Sequence, residues 1–273
     1  MSQVGIILTS NNQLDELIRC MKSLYYHTHY PYELIIVDNN VGPASHFLKN
    51  LNETQRILFY NDLLDKDEII DMPFVLVQEN HNNLVLALNA GIEKCLENED
   101  ILFVSWIHTD MLFFDQWLDR LIEVLISDES IGKVACDNAF WKQHFIDLDD
   151  YPEKYQKANI FAQEIMKNAK LYECEGNECP WLIPRIVFNN ELRFDDRFKG
   201  IGGYEDLALN LIIEKKLNLK CVVTRRSLVW HKGLGYRGTI DTLEDQLYNA
   251  RIFDEFYRNK FKEDVEKYEV FKG

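Results

Sequence analysis

"ELIIVDNN", residues 33–40, is a continuous apolar run that stops abruptly at Asp38 and two asparagines. Without polar alternation, such a run reads as a strand buried on both faces, the kind found in parallel sheets. "VGIILTS" (4–10) has the same form. Between the two, "LDELIRCMKSLYYH" (14–27) places Leu14, Leu17, Ile18, Met21, Leu24 and Tyr25 at helical spacing. "FVLVQEN" (74–80), a helix near 83–97 and "ILFVSW" (101–106) repeat the strand–helix–strand order. The pattern predicts an α/β chain with a central, mostly parallel sheet flanked by helices.

In such sheets ligands collect at the carboxyl ends of the strands. Thr9 to Asn11, Asp38 to Asn40, Glu79 to Asn83 and His108 to Asp110 each follow a predicted strand closely, so their side chains are expected on one rim. Asn and Asp also favour turns for local reasons, which is the plainer account of each group alone.

Further along, helices are predicted over 115–127 and 155–168, with a strand over 132–137. The aromatic and charged segment from 138 breaks the alternation, and long excursions of this kind often bind ligands. "ECPWLIPRIVF" reads as another strand. From Leu243 an apolar stripe of Leu247, Ala250, Phe253, Phe256, Tyr257 and Phe261 predicts a helix that packs on the body, with an oligomer contact left open. In "GGYEDLALNL" (202–211), Glu205 and Asp206 follow a glycine pair and open a helix, where acids stabilise the positive end.

Forty-five acidic against thirty basic residues leave a formal charge of −15 over 273 residues, so nucleic acid is an unfavourable partner. No apolar stretch approaches the roughly 18–20 residues of a membrane span, and the opening residues lack the basic region of a signal peptide. Six cysteines at 20, 95, 136, 174, 179 and 221 form no C-x-x-C pair, which argues against zinc. Cys174 and Cys179 are close enough in sequence to bridge, but a reduced, cytoplasmic state is the simpler expectation. Peripheral membrane association is left open.

From about Val4 to Gly235 the order of motifs resembles the family 2 glycosyltransferases, enzymes of the GT-A fold, a Rossmann-like nucleotide-sugar-binding architecture. "LIIVDNN" is similar to the segment whose acid meets the nucleobase, here Asp38. "ENHNNLVLALNAGI" is similar to the Asn-rich turn and helix, with Asn80 and Asn89 to Gly91 in register. "WIHTDMLFFDQW" is similar to the D-x-D metal motif followed by a tryptophan, but His108 replaces the first acid while Asp110 keeps the second. "FDDRFKGIGGYEDLALNLI" and the distant "SLVWH" match the last block of the family.

The resemblance implies a metal-dependent, inverting glycosyltransferase that uses a nucleotide-sugar, with UDP favoured, and a hydroxyl acceptor, a glycan first. A protein or nucleic-acid acceptor, and a nucleotide-sugar-binding module without turnover, are the alternatives. Asp206 would be the catalytic base and Glu205 its supporting neighbour. Asp110 and His231 would hold Mn²⁺ or Mg²⁺, with Mn²⁺ favoured by the imidazole. Thr9, Asn11, Asp38, Asn80, Asn89 and His108 would line the nucleotide, although His108 also suits an ordinary strand-end hydrogen bond. The implied GT-A domain spans 1–238, with a nucleotide half to about 110 and an acceptor half to about 238, followed by the helical tail 239–273. Trp117 and Trp106 are expected in the core, Trp181, Tyr204 and Trp230 near the acceptor, and Asp195 with Arg197 as a loop-ordering pair. Lys232 and Arg237 suit either diphosphate contacts or solvated surface.

Overall fold

The computed structural model describes residues 3–39, 42–61, 66–78, 82–137, 153–171, 174–175, 179–189, 192–200, 202–233 and 242–261. The first half runs β1 (Val4–Ser10), α1 (Leu14–His27), β2 (Tyr32–Asp38), α2 (Pro43–Thr54), an antiparallel hairpin β3 (Arg56–Asn61) and β4 (Lys66–Asp71), β5 (Phe74–Gln78), α3 (Leu84–Glu97) and β6 (Phe103–His108). The second half runs β7 (Met111–Phe113), α4 (Trp117–Ser127), β8 (Ile131–Cys136), α5 (Glu153–Asn168), β9 (Cys174–Glu175), β10 (Trp181–Pro184), α6 (Arg185–Asn189), α7 (Glu205–Leu217), β11 (Lys220–Thr224), β12 (Val229–His231) and α8 (Leu243–Phe253). α8 continues through a wider turn at Asp254–Arg258.

Eight strands form one sheet in the order β5-β2-β1-β6-β10-β8-β11-β9. β1 pairs in parallel with β2 on one side and β6 on the other, and β5 extends the parallel array beyond β2. The chain therefore steps outward from β1 and later returns to its other side, which opens a crevice at the strand ends. Register sets what stands there: Ser10 lies opposite Asp38, and Thr9 opposite His108. Asp38 and His108 thus flank β1, about 10 Å apart at two strand spacings.

The apolar runs become the core as their patterns require, with Val4, Ile6, Ile7, Leu8 and Leu34 to Val37 almost wholly buried. Gly91 lets α3 lie close on β1, since a Cβ there would sit 2.6 Å from Ile7 Cγ2. This is a packing reason for the N-x-G helix ending. α1 is pinned along its buried stripe. The Cys20 thiol donates to the His108 carbonyl at 3.3 Å, and Ser23 Oγ accepts from the Phe113 amide at 3.3 Å.

Beyond β6 the alternation fails because β10 inserts antiparallel between β6 and β8. The run read as one strand divides, and only 181–184 pair in the sheet while Arg185–Asn189 turn into a helix. The Arg185 guanidinium forces that turn by donating to the carbonyls of Leu96, Asn98 and Ile101.

A second, smaller core lies beside the sheet. Leu112, Phe114, Leu228 and Trp230 of the two-stranded β7–β12 ribbon pack against Tyr155, Ala158, Ala162 and Met166 of α5. Polar contacts reinforce the docking: Asn159 Nδ2 donates to Asp115 Oδ2 at 2.9 Å, and Gln163 to the Asp115 carbonyl at 2.6 Å. His27 meets the other Asp115 oxygen at 2.6 Å. Burial alone would raise the Asp115 carboxyl, but the hydrogen bonds from His27 and Asn159 outweigh it and hold it below the ordinary carboxylate range.

Candidate active site

Asp38 ends β2 at 1% exposure, and neither of its oxygens has a hydrogen-bond partner among the described residues. A buried carboxylate without a partner is costly, so such a group signals a missing donor. Around it the rim is stitched by asparagines. Asn11 Nδ2 donates to Asn82 Oδ1 at 3.3 Å, the Asn83 amide donates to Asn39 Oδ1 at 3.3 Å, and Asn83 Oδ1 caps α3 by accepting from Val85 and Leu86. Thr9 Oγ1 accepts from the Trp106 indole at 3.2 Å. Asn80 lies outside the described residues.

Asn89 is engaged by the loop before α7. Its amide nitrogen donates to the Phe194 carbonyl at 2.9 Å and its oxygen accepts from the Phe194 amide at 3.0 Å. Both ends of the side chain hold the "FDDRF" loop against α3.

The chain gathers three metal-type donors. His108, Asp110 and His231 each offer one atom, all within 4.8 Å of one another. Asp110 Oδ1 lies 3.2 Å from His231 Nε2 and 4.0 Å from His108 Nδ1. The β7–β12 ladder sets this spacing. His231 is registered against Met111, and the Lys232 amide extends the pairing by donating to the Asp110 carbonyl at 3.1 Å. His108 closes β6 with its ring 4.3 Å from that of Trp106. Two imidazoles and a carboxylate are donors that divalent transition ions accept. Asp110 also lines a small pocket open to solvent, with Glu16, Arg19, Trp230 and Lys232 among others. Arg237 lies outside the described residues, as do 138–152, 172–173 and 176–178.

Glu205 and Asp206 open α7, as their pattern predicts. They differ in exposure: Glu205 is buried and accepts from the Gly203 amide, whereas Asp206 is half-buried. Gly202 has a φ of +86°, and a Cβ there would fall 2.5 Å from Glu205 Oε1. Gly202 therefore makes room for Glu205 to fold back on its own loop. Asp206 bears on the buried thiol of Cys179. That thiol is pushed well up by burial first, then by the negative charge of Asp206, with Asp110 adding to it and Lys133 opposing. Asp206 and Asp110 thus both lie within electrostatic reach of one buried sulfur, itself bonded to the Trp106 carbonyl at 3.5 Å.

The loop before α7 is held by the tail. Asn249 donates to the Lys199 carbonyl and accepts from its amide, each at 2.9 Å. Tyr257 donates to Asp195 Oδ2 at 2.7 Å, and Arg197 engages both Asp195 oxygens, so the expected loop-ordering pair is present. Tyr204 stacks on Phe253 at 5.1 Å, so it faces the tail. Trp181 is wholly buried beside Trp106, and Trp230 packs in the ribbon core while also lining the pocket beside Asp110. The thiols of Cys20, Cys95, Cys136, Cys179 and Cys221 are buried and form no disulfide among the described residues. Among the described residues no helix is long and apolar enough to cross a membrane.

Residues 5–174 match the family described as glycosyl transferase family 2. The fold is similar to residues 1–349 of S. aureus TarS, at 10% identity and a TM-score of 0.54, covering 95% of this chain and 73% of that one. The same measures hold for that protein in complex with UDP. It is also similar to the mannosyltransferase PcManGT from Pyrobaculum calidifontis, in complex with GDP-Man and Mn²⁺, at 14% identity and a TM-score of 0.52. There 81% of this chain is covered and 56% of the other, so the chain spans a little over half of that enzyme. No curated protein sequence matches the chain.

Proposed function

This chain belongs to glycosyl transferase family 2 and is a glycosyltransferase; on that premise we propose that it is metal-dependent and inverting, moving a sugar from a UDP-sugar to a hydroxyl acceptor, a glycan first. The observation that carries the reading is the cluster of His108, Asp110 and His231, next to β1, on whose other side the buried Asp38 carboxyl has no hydrogen-bond partner among the described residues.

Asp38 would accept a hydrogen bond from a ring N–H, which suits uracil and would satisfy the orphaned oxygens. His108, Asp110 and His231 would hold Mn²⁺ in preference to Mg²⁺, because nitrogen donors suit manganese better. The ion, when bound, supplies Lewis-acid neutralisation of the diphosphate leaving group. Asp206 would take the proton from the acceptor hydroxyl as that oxygen attacks the anomeric carbon. The bond from that carbon to the diphosphate breaks on the opposite face, which inverts the centre. Glu205 would not touch substrate. By accepting from Gly203 it would hold the turn that presents its neighbour.

UDP binding and UDP release from a panel of UDP-glucose, UDP-galactose and UDP-N-acetylglucosamine, each with and without Mn²⁺, test the reading. The wild type is expected to bind UDP more tightly with Mn²⁺ and to release UDP from at least one donor, and Asp110→Asn to lose the metal dependence. His108 in place of the usual acid favours the second reading, a binding module. Tight UDP binding without release across the panel and added acceptors would establish that instead.

A further inference from the structure

Lys133 is fully buried in β8, which lysine almost never is without a counter-charge. Strand alternation does not explain its direction. Pairing with β11 shifts at this point: Ile131 pairs with Lys220 and Lys133 with Cys221, leaving Gly132 as an extra residue. A bulge of this kind re-aims the side chain that follows it. Lys133 is turned under α7, where its Nζ donates to Asn210 Oδ1 at 2.8 Å and stands 5.8 Å from the Trp181 ring centroid. Asn210 is itself fully buried.

A lysine buried this deeply calls for an acid close by. Asn210 follows Asp206 by four residues, so the two share one face of α7, a turn apart. The ammonium and the Asp206 carboxylate also act with opposite sign on the same Cys179 thiol. One turn further along that face Glu214 bears on Cys221, as Lys133 does. Among the described residues, the groups linked to the lysine in this way are Asp206 and Glu214 on α7, Cys221 on β11 and Cys179 before β10. Those linked to Asp206 are Glu205, its neighbour on the helix, and, through Cys179, Lys133 and Asp110.

We infer that Lys133 is a positioning residue for Asp206: anchored by Asn210 beneath the helix, its ammonium keeps the first-turn carboxylate charged and aimed. The inference rests on the reading of Asp206 as the base. It assigns a role to a residue outside every motif of the sequence, and it gives the bulge at Gly132 a purpose.

The test is the carboxyl titration of Asp206 by ¹³C NMR in the whole metal-free chain, with the resonance assigned by its loss in Asp206→Asn. Lys133→Met combined with Asn210→Leu removes both hydrogen-bonding partners together, which a core tolerates better than one orphan, and a melting curve checks the fold. In the double variant the Asp206 midpoint is expected to rise by roughly one pH unit. Glu214→Gln should leave it in place. An unmoved midpoint, or a shift carried by Glu214 instead, overturns the inference. UDP release by Asp206→Asn separates the two ideas. Loss of release with an unmoved midpoint sinks only the lysine's role, whereas wild-type release sinks the base.

Discussion

The two halves of the molecule hold their polar residues by different means. From β1 to β6, side chains stand where backbone ladders put them. Ser10 faces Asp38 and Thr9 faces His108 because the strands are in parallel register, and α3 closes over them through the absence of a side chain at Gly91. From β7 onward, apart from the β7–β12 ladder, position is set by side chains reaching across the chain. Asn89 grips Phe194, Asn249 grips Lys199, Tyr257 and Arg197 share Asp195, and Asp115 gathers His27, Asn159 and Gln163. A ladder distributes its load over many bonds, while each grip rests on one or two. The first half should therefore behave as a rigid seat, and the second as an assembly that can loosen locally.

The largest expected effect contrasts the two acids. Asp206→Asn should lower turnover by at least about 100-fold with UDP binding nearly intact, whereas Asp38→Asn should weaken UDP binding by roughly tenfold or more. Kinetics with UDP titration read both. Equal damage to binding by the two variants would erase the division of labour. Next, Gly91→Ala should cost about 1–3 kcal/mol of global stability through overpacking against Ile7, seen as a lower midpoint in denaturant. Asn249→Ala should cost about 1 kcal/mol or somewhat more, yet appear mainly as faster hydrogen exchange around residues 199–206. A uniform rise in exchange would show the halves to be equally cooperative.

The smallest effect concerns acid. The Asp115 carboxyl is lower folded than unfolded, so its contribution is present above the ordinary carboxylate value and is lost as pH falls through the folded one. Docking of α5 should weaken only below about pH 4, and Asp115→Asn should remove that step, as followed by proteolysis of α5 across pH.

The same contrast governs what the sequence disclosed. The parallel half was legible because continuous apolar runs ending in acids have few other interpretations, and strand, helix and rim residues fell near their expected places. α2 and the β3–β4 hairpin, over 43–71, carry no comparable signature and were not foreseen. In the second half "PWLIPRIVF" looks extended throughout by composition, yet Arg185 finds three helix-end carbonyls and turns the chain. Asn89 stood in a motif, but its partner lies 105 residues away. Lys133 was invisible for a further reason. In "IGKVAC" only the extra residue at Gly132 decides which way the lysine faces, and a bulge leaves no periodic trace.

The ribbon of β7 and β12 joins residues more than a hundred positions apart into one rigid pair, so the distance between Asp110 and His231 does not depend on what occupies position 108. That position is thus a tuning peg. Exchanging its nitrogen for oxygen would alter the appetite of the cage for harder or softer ions while its other two posts stay where they are.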